Sequence, residues 1–374
     1  MLIEDPYYLV VPGIDVVHLD DGDVVLHSGT LTLRLEGESA SLLTEDVFPL
    51  LDGARRLSDV VERVRVDADD LRMHLDSLVD RGILRSAEQP LETEGARDPL
   101  GPFIGLLDEL GLTAAEARER LGALTVAVVG LEAHGAHVAW NLARVGVGEL
   151  MLADPYPCEP ENLALIPEAG DDAVVGAPRQ DVLLASLPSV RGTRVTTVDG
   201  TELTRDHVHA LASRAHVVIG CFDKAFSAAN VWINEAVLAR GTIGLFGRFE
   251  AHLATLGPLV LPGRSACYLC WRMRELACAA GFEEAMAYEE SLDRRRSAAL
   301  HTRKALPFLS EYAGSILATQ ALIAALGLSV PPLVNSVFEF NGLTLESEKH
   351  AVLQKPDCPA CRKKAPASSR AWTT

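Results

Sequence analysis

Of the 374 residues, 48% are hydrophobic and 23% charged, proportions that exclude a disordered chain, a collagen-like fibre and a small disulfide-stapled scaffold. Only 5% are aromatic, so the core must be mainly aliphatic, and the length allows more than one domain. The net charge is −18, and residues 1–100 alone hold 22 acidic against 9 basic side chains, a balance of −13 that repels a phosphate backbone and excludes nucleic acid as an expected partner. The opening Met1-Leu2-Ile3-Glu4-Asp5 lacks the positive charge of a secretory signal. No uninterrupted apolar run has bilayer-crossing length. A cytoplasmic protein with no membrane partner is expected.

In chain order, Leu9–Val11, Val16–Leu19, Val24–His27 and Leu31–Leu35 are short β-prone runs, separated by Pro12-Gly13, Asp21-Gly22 and Ser28-Gly29 turns. Helices are predicted near Ser39–Leu51, Leu57–Val64 and Ala68–Arg81. In the last, Leu71, Leu75, Leu78 and Val79 share one stripe between an Asp67 N-cap and a Gly82 stop. With a short Ile83-Leu84 strand this makes a winged helix-turn-helix over residues 1–90. The usual DNA-binding use of that shape is rejected on charge.

Residues 86–101, with Pro90, Gly95, Pro99 and Gly101, read as a linker, and a helical connector led by Thr113-Ala114-Ala115-Glu116 carries the chain to residue 122. From 123 to 374 strands and helices alternate: strand Leu124–Val129, helix Gly135–Val145, strand Glu149–Ala153, strand Val217-Val218-Ile219 and helix Ala225–Arg240. The expected fold is therefore α/β: an N-terminal winged helix-turn-helix (α+β), then a Rossmann-like domain with a mainly parallel sheet. Residues 279–307, rich in Glu and Arg, contain no strong strand and read as a solvated helix or crossover.

Seven cysteines, an odd number, argue against a disulfide framework. Four form two pairs, Cys267-Tyr268-Leu269-Cys270 and Cys358-Pro359-Ala360-Cys361, whose spacing lets the sulfurs of each converge on one metal. A four-thiolate site has no position left for substrate, so structural zinc is expected. Cys278, between alanines and with no adjoining His or Lys, reads as buried and inert. The turn Gly130-Leu131-Glu132-Ala133-His134-Gly135 sits where a nucleotide fold places G-x-G-x-x-G, but Glu132 replaces the glycine that lets backbone approach phosphate. Asp154, ending the next strand, is where a ribose-binding acid belongs.

On these residues the stretch 123–374 resembles the ThiF/MoeB-like members of the ubiquitin-activating superfamily of adenylating enzymes. Glu161-Asn162-Leu163, Val175-Gly176-Ala177-Pro178-Arg179, Cys221-Phe222-Asp223-Lys224 with Asn234, and both cysteine pairs extend the likeness. The resemblance implies a nucleotide site at Gly130, Gly135, Asp154, Asn162, Arg179 and Asp223, a zinc site at Cys267, Cys270, Cys358 and Cys361, and a homodimer, with Tyr312–Leu328 as an interface. Four departures oppose ATP chemistry. Glu132 replaces a glycine, Ala164-Leu165 replaces an arginine, the lysine position holds Arg179 or Ala177, and Gly101–Leu107 offers no arginine finger. Losing several charge-neutralising groups together should abolish adenylation, leaving remnants that support the fold, so ATP is not expected and no catalytic residue is assigned.

Residues 1–90 resemble the PqqD-like domain that recognises leaders of ribosomally made peptides, through Val10-Val11-Pro12-Gly13 and Leu31-Thr32-Leu33-Arg34-Leu35-Glu36-Gly37. That likeness implies a leader added as a strand and lying against the third helix, with Leu33, Arg34, Arg72, Leu75, Asp76 and Val79 forming its groove, while Leu33, Leu75 and Val79 equally fit the winged-helix core. The pair of domains resembles partner proteins of YcaO cyclodehydratases. The function so implied is presentation of a precursor peptide for azoline formation. The alternative is an ATP-dependent adenylating enzyme acting on a peptide carboxylate or amide.

Overall fold

The computed structural model describes residues 4–28, 31–37, 39–91, 100–167, 175–187, 192–222, 227–294 and 306–362. The chain divides into two compact units, residues 1–114 and 115–374. The boundary falls within the expected helical connector, and Gly101–Glu109, at the end of the expected linker and the start of that connector, is a helix of the first unit.

In the first unit, β1 (Tyr7–Val10) is followed by β2 (Asp15–His18), β3 (Val24–Ser28) and β4 (Leu31–Leu35). A helical stretch begins as α1 (Ser39–Ser41) and continues as a π turn (Leu42–Val47) and a 3-10 turn (Phe48–Leu50), in place of the one regular helix expected over Ser39–Leu51. Next come β5 (Asp52–Arg56), α2 (Leu57–Val64), α3 (Ala68–Asp80), β6 (Leu84–Ala87) and α4 (Gly101–Glu109). Two antiparallel three-stranded sheets result, ordered β5-β1-β6 and β2-β3-β4. β5 has no counterpart in the sequence reading, because Asp-Gly-Ala-Arg-Arg lacks the β-branched and aromatic residues that mark a strand.

The ends of α3 follow from its sequence. The Asp67 carboxylate accepts from the Asp70 N–H at 3.0 Å. At the other end Gly82 takes φ +75°, donating to Val79 O at 2.9 Å while Ile83 N donates to Leu78 O at 2.9 Å. Leu71, Leu75 and Leu78 on the inner face meet Tyr8, Val24, Leu26 and Ile83 in one apolar core.

The second unit opens with α5 (Ala114–Ala123) and continues through β7 (Thr125–Val129), α6 (His134–Arg144), β8 (Glu149–Ala153), α7 (Arg179–Ser186), β9 (Arg194–Thr197), α8 (Arg205–Arg214), β10 (Val217–Gly220) and α9 (Ser227–Arg240). Then follow β11 (Ile243–Glu250), β12 (Leu253–Val260), α10 (Tyr268–Ala277), α11 (Phe282–Arg294), α12 (Pro307–Leu326), β13 (Ser336–Asn341) and β14 (Ser347–Ala351). One sheet of order β14-β13-β12-β11-β10-β7-β8-β9 joins the strands. From β9 to β11 neighbours are parallel, and from β11 to β14 they are antiparallel.

Ala127 and Val129 of β7 pack with Ala229 and Ile233 of α9 in one core cluster, and Val126 and Val128, on the alternate positions, are equally buried. The charged segment 279–307 contains α11, the helical one of the two forms expected. One helix bears on the membrane argument. At 20 residues α12 is long and apolar enough to cross a bilayer, although Ser310, Glu311 and Gln320 interrupt its apolar run. Ten of its residues, Leu309, Gly314 and Leu317 among them, are buried in the unit, as in a core helix.

Candidate functional site

The four paired cysteines meet. Cys267 is the N-cap of α10, and Cys270 N donates to Cys267 O at 3.0 Å, so the first pair is the opening turn of that helix. The second pair follows β14 in a turn where Arg362 N donates to Cys358 O at 3.1 Å. All four sulfurs lie within 4.8 Å of one another. The separations Cys267–Cys270, Cys267–Cys358 and Cys270–Cys361 are 3.8, 3.7 and 3.5 Å. Tetrahedral zinc with bonds of about 2.3 Å would space its sulfurs by about 3.8 Å, so the set fits such an ion.

Two donors already face these sulfurs, Lys355 N toward Cys270 at 3.3 Å and Gln354 Nε2 toward Cys361 at 3.6 Å. Burial pushes the Cys267 thiol up, whereas at Cys358 the backbone amides of Cys361 and Ala360 outweigh burial and hold it below its ordinary value. Cys278 is a correction: it caps the end of α10 and is exposed, since the helix's buried face stops short of it.

The glycine turn lies at the C-terminal end of β7. Gly130 has φ +90°, and a Cβ there would come within 2.8 Å of Cys221 O. A Cβ on Gly135 would lie 1.9 Å from Gly130 O, so only glycine lets α6 start this close to the strand. The Leu131 N–H donates to Asp154 Oδ2 at 2.7 Å, and Arg179 Nε donates to the same oxygen at 3.0 Å. Asp154 is 1% exposed, and its Oδ1 is buried without a hydrogen-bond partner among the described residues.

Arg179 reaches Asp154 because the segment before it runs antiparallel to Tyr156–Cys158: Cys158 N donates to Ala177 O at 2.7 Å and Arg179 N to Tyr156 O at 2.8 Å. Burial would lower its pKa, but the carboxylates of Asp154 and Glu132 outweigh that and hold the guanidinium above its ordinary value. Gln180, which sequence reasoning missed, fixes the backbone here, accepting from Asp154 N at 3.0 Å and donating to Val198 O at 2.7 Å.

Asn162 is buried and accepts from Glu159 N at 2.8 Å, closing its own 3-10 turn. Asn234 accepts from Tyr268 N at 3.0 Å, which ties α9 to the first cysteine pair. Asp223 lies outside the described residues. Beside the turn, His134 is fully buried and its imidazole is held down at about 4, mainly by burial.

In the first unit the expected groove residues separate into two groups. Leu75 is 0% exposed and belongs to the core, a correction that its position on the inner stripe of α3 explains. Asp76 accepts from the Tyr8 hydroxyl at 2.5 Å and lies 3.6 Å from Arg72, whose Nη1 donates to Glu4 O at 3.2 Å. Arg34 is exposed and binds Asp23 at 2.7 Å and Asp21 at 2.6 Å, and Leu33 is half-buried beneath it. β4 pairs with β3 on one side and with no described strand on the other. A cleft of about 710 Å³ reaches from Leu31 at the start of β4 past Val79 and Arg81 at the end of α3 to Leu84 and Arg85 of β6 and Asp108 of α4, and of the expected groove residues Val79 alone lines it.

A mainly parallel sheet with a glycine turn after its first strand, an acid ending the second and a four-cysteine cluster define a Rossmann-like α/β protein with a candidate metal site. A model of the ThiF family matches residues 107–360, and the chain belongs to that family. Ubiquitin-like modifier-activating enzyme 5 of Dictyostelium discoideum is 30% identical over 179 residues, 44% of this chain and 45% of that protein. The sulfur carrier protein ThiS adenylyltransferase of Escherichia coli K12 is 28% identical over 171 residues, 44% of this chain and 63% of that one. The chain thus matches less than two-thirds of either relative. Among solved structures, E. coli MccB with succinimide aligns over 96% of this chain and all of its own, with a TM-score of 0.71 and 15% identity. MccB with ATP aligns with a TM-score of 0.71, and the microcin C7 biosynthetic enzyme MccB in complex with N-formylated MccA with 0.70, both at 15% identity over 95% of this chain and 99% of theirs. At such identity the likeness is one of fold.

Proposed function

We propose that the chain binds the leader of a ribosomally made precursor peptide and presents it to a separate YcaO cyclodehydratase, which converts Cys, Ser or Thr residues to azolines. The observation that carries the reading is the edge of β4 that pairs with no described strand, its Leu31 lining the cleft at the end of α3. An extended peptide added along that edge gains backbone hydrogen bonds, and the cleft takes alternate side chains. The fold is also that of the microcin C7 biosynthetic enzyme MccB, solved in complex with N-formylated MccA. The cysteine cluster holds structural zinc in this reading, which keeps the C-terminal segment on the sheet. The protein works in the cytoplasm, as a homodimer.

The reading gives the glycine turn no ATP chemistry. Among the described residues Arg179 is the cation on Asp154 and is already committed to it at 3.0 Å, and Glu132 adds a second carboxylate where phosphate would have to approach. With precursor and ATP but no cyclodehydratase, the peptide mass should stay unchanged. With the partner, each azoline should appear as loss of one water, at a rate that depends on the leader because tethering raises local substrate concentration. A proline scan of Leu31–Leu35 should find positions where leader affinity is lost while the fold is kept, since proline removes a backbone donor. Water loss catalysed by this chain alone would refute the scaffold, and leader affinity indifferent to every proline would refute the β4 edge.

One observation favours the second reading, an enzyme that adenylates a peptide carboxylate or amide. Asp154 Oδ1 is buried and has no partner among the described residues, the state of a carboxylate oxygen open to a donor such as a ribose hydroxyl. ATP–pyrophosphate exchange stimulated by the precursor would establish that reading in place of the first.

A further inference from the structure

Building on the reading of the β4–α3 cleft as a peptide site, we infer that the cleft selects an acidic, apolar leader: an extended segment with an Asp or Glu placed against Arg81. The first unit is strongly acidic, and most of its arginines serve that excess. Arg34, Arg55, Arg56, Arg72 and Arg85 each hold a carboxylate, of Asp21 and Asp23, Asp52, Asp5, Asp76 and Asp108 in turn. Arg81 holds none among the described residues, although it is exposed and lines the cleft. It follows α3 directly, and the positive φ of Gly82 turns the chain away behind it. The other cation in the wall, Arg85, is occupied by Asp108.

Leu31, Val79 and Leu84 supply the apolar part of the same wall. A strand laid along β4 directs every second side chain to one face. Apolar residues there would cover this wall while one acid meets the guanidinium. The general acidity of the unit opposes an acidic ligand, but beyond about 8 Å that field is screened at physiological salt, whereas a charge-assisted contact with Arg81 is made at hydrogen-bond distance. The contact decides.

The test uses the full chain and a displayed library of short random linear peptides, followed by anisotropy measurements on one enriched peptide and its Asp→Asn and Asp→Lys forms. Enriched peptides should combine apolar residues with Asp or Glu, and the Asn form should bind about tenfold more weakly, as expected for one hydrogen bond to a charged group. Arg81→Lys should keep the preference and Arg81→Glu should invert it toward the Lys form. An enriched set without excess acid, or Arg81→Glu binding the acidic peptide as tightly as the parent, would overturn the charge selection. If Val79→Lys, folded by circular dichroism, still abolished binding in that case, the cleft itself would stand. No enrichment, or binding indifferent to Val79→Lys, would overturn the cleft and this inference together.

Discussion

The cysteine cluster and the glycine turn belong to one unit, yet they balance charge in opposite ways. At the cysteines, four donors of like character converge to sulfur separations of 3.5–3.8 Å, faced at two of the sulfurs by the neutral donors Lys355 N and Gln354 Nε2. At the glycine turn, the buried Asp154 already has a cation at 3.0 Å and a backbone donor at 2.7 Å. Like donors brought together need an ion from outside, whereas a carboxylate paired with its own chain's arginine has its charge met. Within one unit, one region has the architecture of a metal site and the other pairs its buried charges with each other.

The largest effect should come from the cysteines. Chelation under reducing conditions should unfold the region joining the two pairs, because structural zinc is worth about 10–16 kcal/mol in small sites. Elemental analysis should find about one zinc per chain, and metal-free protein with an unchanged melting temperature would erase the contrast.

Next is Arg179→Ala, which strands the Asp154 carboxylate in a buried site and should cost about 3–5 kcal/mol in urea unfolding. Adding Asp154→Asn should recover most of that loss. A single variant as stable as the parent would mean that the turn is not self-balanced.

A third test lowers the pH. Burial holds His134 at about 4 against an ordinary 6.5, so the folded protein refuses a proton that the unfolded chain accepts. Its contribution is complete above pH 6.5 and is lost as pH falls toward 4, roughly 3 kcal/mol in all. His134→Phe should flatten this limb of the stability–pH curve. The smallest effect is expected for Glu132→Gly, which restores the family's glycine. Stability should move by less than about 1 kcal/mol, and calorimetry should find no tight magnesium-dependent ATP binding while Arg179 stays on Asp154.

Much of this was legible in the residues. The run from Leu124 to Asp154 announces strand, tight turn, helix and strand, because apolar continuity and two glycines act locally. The cysteine pairs are just as plain, each being a turn that closes on itself. What escaped depends on partners distant in the chain. Nothing local says that Arg179 will fold back onto Asp154 or that Gln180 will bridge to Val198, because both follow from the antiparallel path of residues 156–179. β5 escaped since its polar residues become a strand only by pairing with β1. Cys278 misled through its alanine neighbours, which suggested burial where a helix was about to end. Leu75 was read correctly as part of an apolar stripe, and that same stripe placed it in the core rather than in a groove.

The two cysteine pairs also carry a consequence in time. Cys358 follows Cys267 by 91 residues. At about 5–20 residues per second it leaves the ribosome roughly 5–18 s later. Throughout that interval Cys267 and Cys270 are a dithiol without its complement, able to bind an ion weakly or to oxidise to a disulfide, but not to complete the tetrahedron. Metal supply and reducing power during synthesis, more than the stability of the finished site, should therefore set how much of the newly made protein reaches its folded form.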